Sequence, residues 1–336
     1  MKIILTLDYE LYMGKITGTP ENCLVKPMNA LTEAVAPYHA KFVIFVDAAY
    51  LLRLYQLKDQ YPQLQKDYDT VSRHIRQLAS DGHDIQLHFH PQWIYSHWNE
   101  TEKKWCLDYT HYKLSDMEPD FARQTFAEAK RLLDSLLPLP TKVFRAGGYC
   151  LDTYKDFPTL FKENGIVADS SVARGQFRLE QFHSYDYRTV PDKTIYRFKY
   201  DLTSEETNGP FLEFSISSMS LSYINFVLSL RRKLRKYKYA LHYGDGISIG
   251  NSIEKRNSKR SVVSRLFSTI RRTASIDGSS SMLLQDFYDK CMSDGSELVV
   301  IGHPKEATDT SIVNLVSFLR GLSSSDQVVT TKYYLQ

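Results

Sequence analysis

The sequence feature that most constrains the fold is a regular alternation of short apolar segments with longer amphipathic ones. The amphipathic segments repeat apolar residues at helical spacing and lie at residues 67–80, 119–137 and 308–322. The short segments are typical of strands and lie at residues 2–7, 42–46, 85–89, 143–145, 166–168, 194–199, 210–216 and 298–302. Strands that alternate with helices predict βα units, and hence a parallel sheet or barrel.

One basic, serine-rich segment interrupts this alternation before the last strand. Residues 230–272 contain 13 Lys and Arg against two acidic residues, although the whole chain has a formal net charge of only +3. With 43% hydrophobic residues the chain can bury a large core, which excludes a disordered protein. We therefore expect one α/β barrel over residues 1–336, with a basic helical insertion at 217–294.

Reactive side chains follow most of the predicted strands, at the point where each strand ends. In parallel barrels the carboxyl ends of all strands open on one face, and catalytic residues lie there. The residues concerned are Asp8 and Glu10 after the first strand, Asp47 after the second, His88 and His90 at the end of the third, Arg145 in the fourth, Asp169 after the fifth and His303 after the last. This pattern predicts an enzyme whose site is assembled on that face.

Two of the histidines are candidate metal ligands. His88 and His90 are two residues apart, so on an extended strand their imidazoles point to the same side. Two imidazoles and one carboxylate, for which Glu10 is the best candidate, can hold a divalent metal and leave positions open for water and substrate. The alternative is a pair of histidines that are hydrogen-bonded in a loop without a metal.

The other residues at the strand ends suit acid–base chemistry. Asp8 is free to act as a general base, and the planar guanidinium of Arg145 could keep it ionised. Gly147 and Gly148 directly follow a strand, where close approach of the backbone to a ligand requires glycine. His303 follows a buried strand and is a natural general acid. Each residue taken alone also fits a structural role in a turn or a helix cap.

Five short sequences, taken in order, resemble the motifs of the NodB-homology polysaccharide deacetylases. They are T-L-D-Y-E, G-H-D-I-Q-L-H-F-H-P, F-R-A-G-G-Y, A-D-S-S-V and I-G-H-P-K, within residues 2–169 and 298–306. The chain is most similar to a divergent branch associated with surface-polysaccharide biosynthesis. The resemblance implies a distorted (β/α)7 barrel and a hydrolase of amide bonds that removes N-acetyl groups from amino sugars with the help of a metal.

The resemblance also implies a role for each matching residue. The matching positions are Asp8 for the catalytic base, Arg145 for the arginine that supports it, Asp169 for an aspartate behind it, His303 for the general acid, Glu10 and His88 for metal ligands, and Gly148 with Tyr149 for oxyanion and substrate binding. The family's second histidine usually comes four residues after the first, where this chain has Gln92. Either His90 or His97 takes its place, and we favour His90.

The expected cofactor is one divalent metal ion, with zinc as the expected identity. The expected substrate is an N-acetylated sugar that is linked to a nucleotide or a lipid. Two alternatives stay open: a metal-independent amide hydrolase, and a catalytically silent barrel that binds glycan or membrane.

The basic insertion predicts a contact with membranes. Apolar residues at helical spacing within 221–228 lead into the cationic run 231–236, as in helices that lie on a membrane surface. The alternative is a solvated basic face, and no recognisable nucleic-acid-binding motif accompanies the charge. Because the sequence shows neither a signal peptide nor a membrane-spanning stretch, we expect a cytoplasmic protein that contacts the anionic inner face of the membrane through residues 221–272.

Overall fold

The computed structural model describes residues 1–180, 182–222, 240–248 and 269–335. The strands are β1 (Lys2–Tyr9), β2 (Val43–Asp47), β3 (Asp84–Phe89), β4 (His97–Asn99), β5 (Lys104–Cys106), β6 (Val143–Ala146), β7 (Ala168–Asp169), β8 (Phe177–Leu179), β9 (Ser184–Asp186), β10 (Ile195–Phe198), β11 (Phe211–Phe214), β12 (Ser218–Ser222), β13 (Thr269–Thr273), β14 (Leu298–Val300) and β15 (Gln327–Val328). The α-helices are α1 (Lys26–Val35), α2 (Ala48–Leu57), α3 (Pro62–Ser80), α4 (Gln92–Tyr95), α5 (Pro119–Asp134), α6 (Phe157–Glu163), α7 (Leu284–Asp294) and α8 (Asp309–Arg320).

Nine strands form the main sheet, in the order β10-β11-β7-β6-β3-β2-β1-β14, with β15 also paired to β1. All of these pairs are parallel except β10 with β11. Beyond β11 the chain reaches Ser217, whose N–H donates to the Val299 carbonyl in β14 at 3.0 Å. The sheet therefore curls round on itself, and the predicted α/β barrel architecture is confirmed.

The central strands are buried along almost their whole length, as expected for parallel strands that are covered on both faces. Inside the curled sheet, seven buried residues form a cluster of their own: Ile4, Val43, Phe45, Val143, Ala168, Phe214 and Val299. A larger cluster lies between the outer face of the sheet and the helices. The fold thus holds the strands rigidly and leaves their carboxyl ends to build a site.

The predicted helices and strands exist, with shifted boundaries. The helix predicted at 67–80 begins at Pro62, because proline is well suited to a first helical position. The strand predicted at 166–168 is instead Ala168–Asp169. The Ile166 N–H donates to the Phe161 carbonyl at 2.9 Å and so still belongs to the end of α6.

The structure describes only parts of the predicted insertion at 217–294. β12 and β13 pair antiparallel at its base, and α7 buries Phe287 and Cys291 in the core. Asp245 accepts hydrogen bonds from the Thr19 N–H and the Asn22 amide, both at 2.8 Å.

Most of the predicted membrane-contact segment lies outside the described residues. Within them, every helix is too short or too polar to cross a bilayer.

Candidate active site

A cavity of about 480 Å³ opens at the carboxyl ends of β1, β3, β6 and β14. Its wall contains most of the residues that were predicted to form the site, together with residues that the sequence patterns did not single out. The charged and histidine side chains in this wall are Asp8, Glu10, His88, His90, Asp277, His303, Lys305 and Glu306, and the turn residues Gly148 and Tyr149 also line it. The parallel sheet therefore brings Asp8, His88 and His303 together on one face, as expected from their places at strand ends.

A single arginine fixes Asp8. Arg145 Nη1 donates to Asp8 Oδ1 at 2.5 Å, and both side chains are buried. Arg145 is itself held by Thr6 Oγ1 at 2.9 Å and by the Ser170 hydroxyl at 2.8 Å. Burial alone would raise the pKa of Asp8, but the Arg145 guanidinium opposes it, and the net pKa lies below its ordinary value. Asp8 is therefore ionised and oriented at neutral pH.

Glu10, His88 and His90 bring their ligand atoms together in a buried cluster, within 4.8 Å of one another. Glu10 Oε2 lies 3.1 Å from His88 Nε2 and 2.5 Å from His90 Nε2. His88 Nδ1 lies 2.7 Å from the Arg145 carbonyl oxygen. In the neutral ring this hydrogen bond places the proton on Nδ1 and directs the Nε2 lone pair at Glu10, which is the usual arrangement of a metal-binding histidine. The donor set and its orientation fit a divalent cation.

Lys305 contacts the other carboxylate oxygen of Glu10, Oε1. Its ammonium group donates to Glu10 Oε1 at 2.7 Å and to the Leu11 carbonyl at 2.8 Å. Burial alone would raise the pKa of Glu10, but Lys305, with His90, lowers it well below its ordinary value. Lys305 therefore holds one carboxylate oxygen and leaves the other for the histidines. The sequence patterns did not predict this role of Lys305, because most lysine side chains are exposed to solvent and a buried, paired one has no local sequence signal.

His303 has a carboxylate partner of its own. Asp277 Oδ2 lies 2.7 Å from His303 Nδ1, and Asp277 Oδ1 accepts the His303 backbone N–H at 2.6 Å. Nε2 lies 3.7 Å from both Asp8 Oδ2 and Glu10 Oε1. Burial alone would lower the pKa of His303, but Asp277 raises it to about 9. His303 is therefore a protonated imidazolium at neutral pH. Asp277 lies within the segment predicted to be an insertion, so no sequence signal pointed to it.

The chain turns sharply after β6, at Gly147, Gly148 and Tyr149. A Cβ on Gly147 would lie 2.6 Å from His90 Nδ1, so only glycine lets the ring approach this closely. Tyr149 has a φ of 66°, a left-handed conformation that is uncommon for tyrosine and is often found at functional sites. The Tyr187 hydroxyl donates to the Tyr149 carbonyl at 2.6 Å and holds this turn in place. The predicted oxyanion-binding turn thus borders the same cavity as Asp8 and His303.

Asp169 lies behind the site and does not line the cavity. Its carboxylate accepts from the Ser171 N–H at 2.6 Å and from the Ser171 hydroxyl at 2.9 Å. The Ser171 oxygen in turn accepts from the Ala146 N–H at 2.9 Å, so Asp169 supports the start of the glycine turn. Burial raises the pKa of Asp169 to about 6 and that of its neighbour Glu213 well above the usual range. This buried pair of carboxyl groups is a feature that sequence reasoning did not predict.

The remaining predicted residues have simpler surroundings. Asp47 does not line the cavity, and its carboxylate accepts from Trp93 Nε1 at 2.8 Å and from the His90 backbone N–H at 3.3 Å. Asp47 therefore helps to position His90. His97, the alternative third ligand, lies in β4 with an exposed side chain and takes no part in the cluster. The structure thus places His90, and not His97, beside Glu10 and His88.

The comparisons with known proteins are consistent with the predicted fold. Neither the protein-family models nor the curated protein sequences match this chain. A solved structure of a putative polysaccharide deacetylase from Mycobacterium smegmatis is similar to it, with a TM-score of 0.54 and 12% sequence identity over 99% of this chain and 88% of that chain. A probable polysaccharide deacetylase from Pseudomonas aeruginosa PAO1 gives a TM-score of 0.51 with the same identity and coverage. The chain therefore has the fold of these polysaccharide deacetylase structures.

Proposed function

We propose that this chain is a metal-dependent N-deacetylase of carbohydrates, a hydrolase that cleaves the amide bond of an N-acetylated amino sugar. One observation carries the proposal: the Glu10–His88–His90 cluster, Asp8, which is held by Arg145, and the His303–Asp277 pair border one cavity. A fold by itself supports many activities, so it is this site, and not the structural likeness, that supports the activity. The resemblance of the five sequence motifs supports the same activity.

Glu10, His88 and His90 would hold the metal, and we propose zinc as its identity. Two imidazole nitrogens and one carboxylate oxygen suit zinc and leave coordination positions open for substrate and water. When bound, such an ion polarises a carbonyl oxygen and lowers the pKa of a bound water from 15.7 toward about 7. Lys305 keeps Glu10 Oε1 occupied, so Oε2 would be the oxygen available to a metal.

The protein's own residues divide the proton transfers of amide hydrolysis between them. Asp8, kept ionised by Arg145, accepts a proton from the attacking water. The turn at Gly148 borders the cavity, where its backbone N–H would stabilise the negative charge on the former carbonyl oxygen. His303, kept protonated by Asp277, donates a proton to the sugar nitrogen as the C–N bond breaks. The products are acetate and the free amino sugar.

The place of the enzyme in the cell is a further part of the proposal. We propose that it acts in the cytoplasm on a nucleotide- or lipid-linked sugar during surface-polysaccharide biosynthesis, and that residues 221–272 contact anionic lipid. The excess of basic residues in this segment supports the contact. Co-sedimentation with liposomes tests it, since binding to anionic vesicles but not to neutral ones is expected. Equal and negligible binding to both would exclude the contact.

Acetate release is the experiment that tests the activity. Purified protein is analysed for bound metal and then incubated with UDP-linked and lipid-linked N-acetylated sugars. We expect bound divalent metal, acetate release, and loss of that release with a chelator and its return when metal is added. Release that is unaffected by the chelator would favour a metal-independent amide hydrolase. Protein that holds no metal and releases no acetate would favour a silent glycan-binding barrel.

A further inference from the structure

A second cavity lies on the other side of the chain that follows β1. Its volume is about 340 Å³, against about 480 Å³ for the candidate active site. Residues 10–13 separate the two, since Glu10, Tyr12 and Met13 line the first cavity and Leu11 lines the second. The residues assigned to deacetylation do not line the second cavity, so the proposed reaction leaves it without a role.

Tyr50, on α2, lines this second cavity, and its buried hydroxyl group has no protein partner in the described part of the chain. The side chain is only 2% exposed, and its ring is fixed between Trp93 at 4.6 Å and Trp105 at 6.3 Å between centroids. Buried hydroxyl groups nearly always have a hydrogen-bond partner. Tyr50 therefore offers this cavity a rigidly held donor and acceptor.

Two polar side chains of α3 also line the cavity, one helical turn apart. Gln63 Nε2 donates to Asp67 Oδ1 at 2.8 Å, which fixes both groups relative to each other. Burial raises the pKa of Asp67 to about 6. An amide and a carboxyl group at fixed positions are suited to bind several hydroxyl groups at once, because between them they can both donate and accept.

Part of the lining is aromatic. Trp98 and Trp105 pair across the β4–β5 hairpin in an edge-to-face contact, with ring centroids 5.6 Å apart, and both line the cavity. Aromatic rings beside a few convergent polar groups are the usual composition of a small-molecule site. The face of a sugar ring carries C–H groups that pack on an aromatic ring, while its edge carries hydroxyl groups. The aromatic and the polar residues of this lining match these two parts of a sugar.

The charged residues that line the cavity are of both signs: Lys15, Lys103, Lys104, Asp67 and Asp245. Lys103 is paired with Glu100, Lys104 lies 2.7 Å from Glu102, and Lys15 also has a partner, so none of these three cations is free. A phosphate group would therefore find no unpaired cation among these lining residues, whereas a neutral saccharide needs none.

We propose that this second cavity is a binding site for one neutral sugar ring, separate from the candidate active site and without catalytic residues. This sugar binding goes beyond the proposed deacetylation, since binding in the second cavity requires no bond cleavage. Tyr50 and the Gln63–Asp67 pair bind the hydroxyl groups, and the Trp98–Trp105 wall packs against the face of the ring.

Tryptophan fluorescence tests this site directly, because the chain has only three tryptophans. Trp98 and Trp105 line the cavity, and Trp93 packs against both Tyr50 and Trp105. The full-length protein is titrated with glucose, N-acetylglucosamine, N,N′-diacetylchitobiose and maltose. We expect a saturable change in fluorescence with at least one of them.

The variant Tyr50→Phe removes only the hydroxyl group and should weaken this binding by about tenfold, as the loss of one hydrogen bond does. Tyr154→Phe is the matched control, because the Tyr154 hydroxyl is also buried without a described partner but does not line this cavity. It should bind the sugar as the wild type does. Folding of each variant is checked by its thermal unfolding temperature.

Three results would overturn the proposal: no saturable signal with any of the four sugars, equal affinity of Tyr50→Phe and wild type, or displacement of the sugar by inorganic phosphate. Acetate release is measured on the same preparations with an N-acetylated substrate. If release is absent while Tyr50-dependent binding persists, the proposed deacetylation fails and the sugar site stands. If acetate is released but Tyr50-dependent binding is absent, the sugar site fails and the proposed deacetylation stands.

Discussion

The two ends of β3 bury polar side chains to a similar degree and use them differently. At the amino end, Asp84 accepts from Gln86 Nε2 at 2.8 Å and from the Thr331 hydroxyl at 2.6 Å. Gln86 Oε1 in turn accepts the backbone N–H groups of residues 142 and 143, at 2.9 and 2.8 Å. At the carboxyl end, His88 and His90 both face the same oxygen of Glu10.

The difference lies in whether the buried acceptors are matched with donors. At the amino end each of these acceptor atoms has a donor from the protein, and the adjoining cavity has a volume of only about 50 Å³. At the carboxyl end three ligand atoms meet beside a cavity of about 480 Å³. A satisfied network stabilises the fold, whereas an unmatched group of ligand atoms suits a cation. Burial of polar groups alone therefore does not identify the active site.

The largest effect on turnover is expected at Asp8. Asp8→Asn keeps the shape of the side chain but cannot accept the proton of the attacking water. The turnover number should fall by about 10²–10⁴-fold, the usual contribution of a general base. Acetate release and thermal unfolding, measured on the same preparation, separate this effect from misfolding. Turnover close to that of the wild type would show that Asp8 is not the base.

The next largest effect is expected at Lys305, which holds Glu10 Oε1. Lys305→Met frees this oxygen, and affinity for the divalent metal should fall by about 10–100-fold, as when other partners of metal ligands are removed. Competition with a metal chelator measures the affinity without any need for turnover. Lys332→Met is the matched control at the amino end, where the Lys332 ammonium group lies 3.7 Å from Asp84. Equal metal affinity in both variants would contradict the role given to Lys305.

A smaller, pH-dependent effect is expected at Asp277. This carboxylate raises the pKa of His303 to about 9, so its loss in Asp277→Asn should move that pKa down toward 6.5. A general acid must carry its proton, so activity is lost as pH rises through its pKa. The alkaline limb of the pH–rate profile should therefore shift down by at least about one unit, with little change at acidic pH. If the alkaline limb does not shift, His303 is not the general acid.

The smallest effect on turnover is expected at the amino end of β3. Asp84→Asn replaces an acceptor of the closed network with an amide, and the free energy of unfolding should fall by about 1–3 kcal/mol. Denaturation in urea measures this change. Turnover per folded molecule should equal that of the wild type. A fall in turnover as large as that of Asp8→Asn would abolish the distinction between the two ends of the strand.

Much of the fold could be predicted from local pattern. β1, β2 and β3 were predictable because strands buried on both faces leave continuous apolar runs in the sequence. The boundaries were less predictable, as Ile166 shows. It is apolar and buried, but its N–H belongs to the end of a helix. A hydrogen bond of this kind depends on where the chain turns. The composition of a short segment does not predict that position.

The candidate site was predictable where residue type and position at a strand end coincide, as at Asp8, His88 and His303. It was not predictable where a partner comes from a distant segment. Asp277 reaches His303 from a segment without any motif, and Thr6 holds Arg145 from within an apolar strand. No local pattern distinguishes Asp277 from other aspartates, and Thr6 stands in the motif T-L-D-Y-E without a role of its own. Only their neighbours in space give them a role.

The sequence by itself determined the parallel α/β architecture and the face on which the reactive groups gather, because burial and strand direction follow from periodic patterns along the chain. The tertiary structure alone decided which of these groups meet, and in what state of charge. His90 rather than His97 faces Glu10, Lys305 takes the second oxygen of that carboxylate, and Asp277 keeps His303 protonated. Charge states depend on burial and on distances of a few ångströms between residues far apart in sequence, and no local pattern encodes them.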